Sequence, residues 1–547
     1  MIHHLFFENP GALFLFAFLT TFSLAGRSRM ASSSFGTTAM LCSSIAFCGF
    51  VVVDAMNLLR GGMLWHDAAN ILSIGAAWLR GQPMYTPRGA ADFYSLFYGP
   101  YALLIYVPFL ALFHHPFFWM RLAISCADAL SLFCLYTAIR VFLPRVDALA
   151  LLSMATAVLL ARPNELLGFR GDPWLLLCMC GAICLLTRSR GGALAMLLAG
   201  MLCGVAADLK ITVIPAACLM LYLIYDRWGA KACRMAVAGC LAAGIGVFLL
   251  PRISIANYMS ALELSAHQRF LRSTLLGNLI VAVMLLALAA VLFRNQVRVP
   301  AGRHRMKWLL AALAIGVCIL TGSKESAGFW HLWPVMPFLL VGTAYEISRL
   351  RARTTNEELV VRDVSGSGFA GTSWIAVALL AASVGGCVTT LYFAEKDVRI
   401  FRPIATSFWK DKEVSAFVEL QHIVNSPHAK NLSMGYGSDV TDYRTNLRYI
   451  LPLARQEYFF DENEVVESIK EKLPVPANVL ARVLGCEDEW LVPHGEVPFS
   501  ALRAGVLPPG NSPFMFPAEL RNGFVPTHLL LEQGQFYDRW GCSAAAK

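Results

Sequence analysis

Asp67 is the first residue of this chain placed to act as a catalyst. It follows an apolar stretch directly and heads a polar and aromatic segment, Trp65–Pro108. That segment carries Arg80-Gly81-Gln82-Pro83-Met84-Tyr85 and re-enters apolar sequence through Tyr98-Gly99-Pro100. A carboxylate at the boundary between lipid and water can take a proton from an incoming hydroxyl. The position also suits a helix N-cap, because Ala68-Ala69-Asn70-Ile71-Leu72 continues as an amphipathic helix, and the two roles are compatible. Asp92 is the second carboxylate of the loop, a substrate contact or a solvated loop residue. His66 adjoins Asp67 and could assist it.

Cations recur further along where apolar runs begin or end: Arg170 beside Asp172, then Lys210, Arg269 and Arg272, Lys324 and His331. Residues so placed bind an anionic headgroup such as a phosphate, or anchor a span by snorkelling. For His331, among Trp330 and Trp333, the alternative is an interfacial aromatic belt. Arg269 and Arg272 share the 252–274 loop with His267, which reads equally as a surface amphipathic helix. His3-His4 and His114-His115 lack helical i,i+4 spacing and nearby Cys or Glu partners, so no metal motif is supported. Gly435-Tyr436-Gly437 reads as a turn, and nothing resembles a P-loop or a Ser nucleophile elbow.

The elements that position these residues are set by composition. Of 547 residues, 57% are hydrophobic and 15% charged, against about 25% charged in soluble domains; the mean hydropathy is +0.57. The net charge of +9 sits in short clusters between apolar runs, as in loops facing anionic lipid, and gives no nucleic-acid footprint. Apolar runs fall near 11–26, 38–59, 98–113, 119–143, 148–161, 173–187, 192–208, 211–225, 235–251, 275–293, 308–321, 328–347 and 374–393. The N-terminal run lacks a basic leader and carries Glu8, so a retained span is expected there. The fold class expected is an all-α polytopic membrane protein of about 11–13 transmembrane helices with a small C-terminal α/β domain. Residues 1–393 form the membrane module with an outer loop at 60–97, and 394–547 form the extramembrane domain.

Orientation follows the basic residues. Arg294–Lys307 and Arg349, Arg351 and Arg353 mark cytoplasmic loops, which places the tail outside, while Arg27 and Arg29 inside place the Asp67 loop outside. The two assignments conflict if every run crosses once, so one run between 98 and 187 does not cross; both 98–113, with Pro100 and Pro108, and 148–161 are short. In the tail, Lys412–Asn425 and Glu462–Leu473 read as helices, and Asn431–Tyr436, Glu489–Val492 and Thr527–Glu532 as strands. Val364–Thr372 reads as a flexible connector. Most cysteines lie inside apolar runs and behave as small hydrophobes. Cys486 and Cys542 are the exceptions and read as one disulfide if the tail lies outside the cytoplasm.

An apolar span, Asp67, A-x-x-L-R-G-Q-P-x-Y (76–85) and F-Y-G-P-x-x-x-L-x-x-x-P (97–108) together resemble the GT-C superfamily. These are polytopic glycosyltransferases that use polyprenyl-phosphate sugars, and the nearest group is the family 87 mannosyltransferase-like one. Arg170-Gly171-Asp172-Pro173-Trp174, Gly200–Lys210 and Gly322–Pro337 are similar to further segments of such proteins, so the resemblance covers most of 38–347. The apolar run before the Asp67 loop departs from the simplest family layout.

The resemblance implies an inverting transferase in a bacterial inner membrane, active on the outer side. Asp67 would be its base, with His66, Tyr85, Asp92, Tyr98, Arg170, Asp172, Lys210, Arg269, Lys324 and His331 about the substrate. Its donor would be a polyprenyl-phosphate sugar and its acceptor a lipid, glycan or protein. No cofactor is required, and a divalent metal stays open. Two other classes remain. A transporter or flippase of lipid-linked sugars would place ionisable residues near the midplane and show repeat symmetry. A non-catalytic assembly subunit would bind a partner through the tail, whose Phe536–Cys542 also resembles the closing strand of some GT-C outer domains.

Overall fold

In lipid the backbone has only its own hydrogen bonds to satisfy it, so apolar runs become helices. The computed structural model describes residues 9–27, 32–59, 66–87, 90, 92, 94–113, 116–266, 268–293, 303–324, 327–361, 370–405, 407–426, 431–437, 442–461, 475–499 and 518–542. In chain order its first helices are α1 (Pro10–Arg27) and α2 (Ser32–Leu59), followed in the first loop by α3 (His66–Leu79), α4 (Pro100–Leu104) and α5 (Val107–Leu112). Then come α6 (Pro116–Ile139), α7 (Arg145–Leu160), the short α8 (Pro163–Leu167), α9 (Asp172–Arg188), α10 (Ala193–Leu209) and α11 (Ile214–Gly246). A surface helix α12 (Ile255–Ala266) precedes α13 (Arg272–Phe293), α14 (Arg303–Thr321), α15 (Met336–Val361) and α16 (Ala370–Ala405). The chain is thus a polytopic helical membrane protein with a small sheet domain at its end.

Four stretches, Ser34–Leu58, Pro116–Ile139, Ile211–Leu249 and Trp374–Arg399, are each long and apolar enough to cross a membrane by length and composition. The third is two passes. Gly229 breaks α11 with φ +80°, and beyond it the Cys233 thiol reaches back to the Leu221 carbonyl at 3.7 Å. The second arm of α11 lies parallel to α10 at backbone contact. A Cβ on Gly200 or Gly204 would collide with the carbonyls of Ala236 or Cys240, and one on Gly239 with that of Leu197. Small residues allow this approach where no hydrophobic force between helices exists.

One end of the bundle is basic. There Lys307 Nζ meets Asp226 at 2.5 Å, Arg351 pairs with Asp147, and Arg140, Arg145, Arg188, Arg190 and Arg227 cluster about the helix ends. The opposite end carries the first loop and the tail, which touch directly: Arg80 Nη2 donates to the Leu453 carbonyl at 2.6 Å. The 98–113 run is not one straight helix. It forms two short helices, α4 and α5, each with a proline in its first turn, separated at Ile105–Tyr106 and packed on α3. Proline suits the first turn of a helix and removes a backbone hydrogen bond from its interior. The 148–161 run is α7, whose face is buried along almost its whole length.

In the tail, α17 (Ser407–Val424), β1 (Leu432–Met434), α18 (Ile450–Leu453), α19 (Ala477–Leu484), β2 (Glu489–Pro493), α20 (Ala518–Thr527), β3 (His528–Gln533) and β4 (Tyr537–Cys542) follow in order. The sheet order is β1-β2-β4-β3, with β1 parallel to β2 and the other pairs antiparallel. Cys486 and Cys542 are joined by a disulfide, Cα atoms 5.5 Å apart, which ties the end of β4 to the turn before β2. One aromatic core gathers Trp490, Phe459, Phe460, Phe499 and Phe524. A second core crosses the expected boundary at residue 393, since it unites Ile71, Tyr85 and Leu103 with Leu420, Leu432 and Tyr537. The expected helix at 462–473 and residues 364–369 of the expected connector fall outside the described residues, as do the His3-His4 and His114-His115 pairs; the connector's last three residues, 370–372, begin α16 instead.

Asp488 gives the tail a pH dependence. Its carboxyl is almost fully buried, and that burial raises its pKa to about 6 despite Arg482 Nε at 3.6 Å, a guanidinium shared with Glu457 and Asp92. A raised carboxyl pKa favours the folded state at low pH, and the benefit is lost as pH rises through about 6. The tail is therefore expected to melt at higher temperature at pH 5.5 than at pH 8. Asp488→Asn should remove most of that difference, about 1 kcal/mol; pH-independent melting of the wild type would refute the assignment.

Candidate functional site

The site forms where helix ends converge beneath the first loop. Pro163 and Pro173 start α8 and α9, and the chain between them, Gly168–Gly171, crosses from one to the other. Asp172 opens α9, and Lys210 closes α10 before α11 begins. The loop reaches this junction at Tyr98-Gly99-Pro100. Gly99 lies against the backbone of Asp208, so close that any Cβ would overlap the Asp208 carbonyl. Asp208 Oδ2 in turn accepts the Tyr101 N–H at 2.9 Å, which fixes α4 onto the end of α10.

Four of the expected residues meet here. Arg170 donates through Nη2 to the Tyr98 hydroxyl, and its Nε lies 3.4 Å from Asp172 Oδ2. Lys210 donates to Asp172 Oδ1. Both cations lie near the Tyr98 ring, at 5.8 Å for Arg170 and 5.6 Å for Lys210. Asp172 thus balances two cations, with Lys210 8% exposed and Asp172 1%. An incoming phosphate can compete with Asp172 for both, as oxyanions do for paired basic groups.

Tyr85 supports this arrangement from behind. It is fully buried and donates to the Tyr98 carbonyl at 2.7 Å; its ring packs on Tyr258 at 5.2 Å, and Asn257 Nδ2 holds its carbonyl at 3.0 Å. His331 sits on a 3-10 turn at Phe329–Leu332, with Nδ1 3.4 Å from Thr321 Oγ1. Withdrawal from solvent, then the charges of Lys210, Arg170 and Lys324, hold its imidazole well below the ordinary pKa. A neutral His331 beside a cation cluster can donate or accept a hydrogen bond without adding charge.

Other expected residues stand elsewhere. Lys324 donates to the Ser265 and Ala266 carbonyls at 3.0 and 3.3 Å, closing the C-terminus of α12, where a cation is favoured. Arg269 is exposed in the turn before α13, next to the Phe270–Lys324 bridge. Asp92 faces the tail and pairs with Arg482 at 2.8 Å. His66 and Asp67 are the first two residues of α3, one residue too far into the helix for an N-cap at Asp67; their side chains lie outside the described residues.

The sequence reading missed residues that complete the junction. Tyr106, fully buried on the discounted 98–113 run, donates to the Arg170 carbonyl at 2.7 Å and receives Trp174 Nε1 at 3.2 Å. Glu165 on α8 is buried; burial raises its carboxyl pKa and the charges of Arg170 and Arg162 partly offset this. Arg162 stacks over Trp330 at 5.0 Å. The signal was a pair of opposite charges, Arg162 and Glu165, within four residues directly after an apolar run. Among the described residues no group of three His, Cys, Asp or Glu side chains could hold a metal ion.

No family model matches the chain, and no curated protein matches it. Two solved structures of ArnT from Cupriavidus metallidurans do. The form bound to undecaprenyl phosphate matches with a TM-score of 0.53 at 12% identity, over 92% of this chain and 98% of that one. The apo form matches with a TM-score of 0.50 at 13% identity over the same shares. At this identity the likeness is one of fold: the chain shares with that protein the arrangement of a helical bundle followed by a small sheet domain.

Proposed function

We propose that this protein is an integral-membrane glycosyltransferase. It moves a sugar from a polyprenyl-phosphate donor to a hydroxyl of a lipid, glycan or protein acceptor. The observation that carries the reading is the convergence of Arg170 and Lys210 on Tyr98 beneath the first loop, in a fold shared with a protein solved with undecaprenyl phosphate. Asp67 takes the acceptor proton, the acceptor oxygen attacks the anomeric carbon, and the sugar–phosphate C–O bond breaks with its electron pair going to the phosphate. Polyprenyl phosphate leaves against Lys210 and Arg170. Its basicity is low enough that no strong general acid is required. A direct displacement of this kind inverts the anomeric centre.

The loop motifs at 76–85 and 97–108 support a place near the family 87 mannosyltransferase-like group, and so a mannosyl donor. Sidedness rests on charge and redox chemistry. The basic end of the bundle faces the cytoplasm by the positive-inside rule, and the Cys486–Cys542 disulfide suits an oxidising compartment. The first loop and tail then face the outer side, the periplasm of a bacterial inner membrane. The division at residue 393 separates membrane module from tail in the chain, not in the packing.

The test is turnover. Purified protein with polyprenyl-phosphate mannose and a membrane lipid extract should release polyprenyl phosphate and glycosylate a component of the extract. If neither this donor nor polyprenyl-phosphate glucose, galactose or a pentose is consumed, the reading fails.

A further inference from the structure

Arg482 lies far from Tyr98 in the chain, yet the first loop connects them. Its guanidinium meets Asp92 Oδ1 at 2.8 Å, Glu457 Oε2 at 2.5 Å and Asp488 Oδ2 at 3.6 Å, and it lies 3.8 Å over the Phe459 ring. Only Asp92 among these partners belongs to the loop. From Asp92 the chain runs through Tyr94, which is fully buried, packs on Tyr458 at 5.2 Å and donates to the Pro83 carbonyl at 2.8 Å. Thr86 donates to the Tyr94 carbonyl at 2.8 Å, and Tyr85 to the Tyr98 carbonyl at 2.7 Å, so 83–86 and 94–98 brace one another. Gln82 and Tyr458 exchange two hydrogen bonds at 3.0 Å on the tail side. The far end of this brace is the Tyr98 hydroxyl, which Arg170 grips.

We infer that Arg482 is a positioning residue for transfer: through Asp92 it holds the loop so that Tyr98 stays between Arg170 and Lys210. The inference rests on the transfer reaction proposed above. It assigns Asp92 a role as the loop's anchor on the tail, without contact to substrate. A fork of guanidinium donors suits this better than an ammonium, because its plane can lie on Phe459 while its edge meets several carboxylates. Small displacements of a positioning element are costly to rate, about 10²-fold for 1 Å.

The experiment is a double-mutant cycle on the full-length protein with polyprenyl-phosphate mannose and membrane lipid extract. Asp92→Asn and Arg482→Ala should each lower kcat by about 10- to 100-fold with the donor KM changed less than about threefold. The double variant should lose no more than the worse single one, and Arg482→Lys should recover part of the rate. Hydrogen exchange supplies the second readout: residues 83–99 should exchange at least tenfold faster in both single variants while β2 and β4 keep their protection. Wild-type rate in Asp92→Asn, or losses that multiply in the double variant, would overturn the inference. Should the wild type transfer no sugar at all, the function reading fails, and the exchange arm alone decides whether Arg482 holds the loop.

Discussion

Replacing Asp67 by Asn should abolish sugar transfer while the protein still inserts and folds. Asn keeps the size of the side chain and its capacity to hydrogen-bond near a helix start, and gives up only the charge and the proton acceptor. A general base contributes typically 10²–10⁴-fold, so transfer should fall by at least about 10²-fold with donor KM little changed. Asp67 lies in the first turn of α3, where losing a negative charge costs about 0.3–1 kcal/mol of helix-end stabilisation, too little to unfold the bundle. The check is initial-rate kinetics beside a melting curve for each protein. Transfer within threefold of wild type in Asp67→Asn would reduce the residue to a helix-end charge and remove the base from the proposal.

The second large effect is expected at Lys210. Lys210→Gln should weaken binding of undecaprenyl phosphate by about 10- to 100-fold, the worth of one charge-assisted contact in a low-dielectric site. The substitution also strands Asp172, which is 1% exposed and relies on Lys210 and Arg170. Breaking a buried pair from one side costs about 3–5 kcal/mol for that reason alone. A double variant, Lys210→Gln with Asp172→Asn, separates the causes. If Lys210 touches phosphate, the double variant recovers thermal stability but not affinity; recovery of affinity as well would make Lys210 a structural partner of Asp172. Titration of tryptophan fluorescence with undecaprenyl phosphate reads the affinity directly.

How far these residues were legible in the chain depends on the force involved. The bilayer imposes hydropathy on every pass, so the helical runs stand out; the charge pattern left 98–113 and 148–161 equally open as the run that does not cross, and it is 98–113 that divides into two short helices. Arg170, Asp172 and Lys210 were legible because charge at the end of an apolar run needs a reason, and Tyr98 because it stands in the F-Y-G-P motif where the loop re-enters apolar sequence. Tyr106 and Glu165 were not: one sits inside an apolar run and the other on a helix of five residues, and each acquires its partner only through packing. Lys324 carried the same signal as Lys210, yet it closes α12, because a helix C-terminus and a phosphate attract a cation by the same means. Asp92 was visible as a loop acid, but its partner lies 390 residues away, a pairing that no local pattern encodes.

The shared core of loop and tail also fixes an order of assembly. Arg80 leaves the ribosome 373 residues before Leu453, the carbonyl it binds, so the first loop is made long before its packing partners exist. During that interval Ile71, Tyr85 and Leu103 have no counterpart from Leu420, Leu432 or Tyr537, and closing so long a stretch of chain is slow. A nascent or prematurely terminated chain would therefore form its helical passes and still leave the first loop without its packing partners. The loop gains its last counterpart in that core only when β4, which carries Tyr537, has been made.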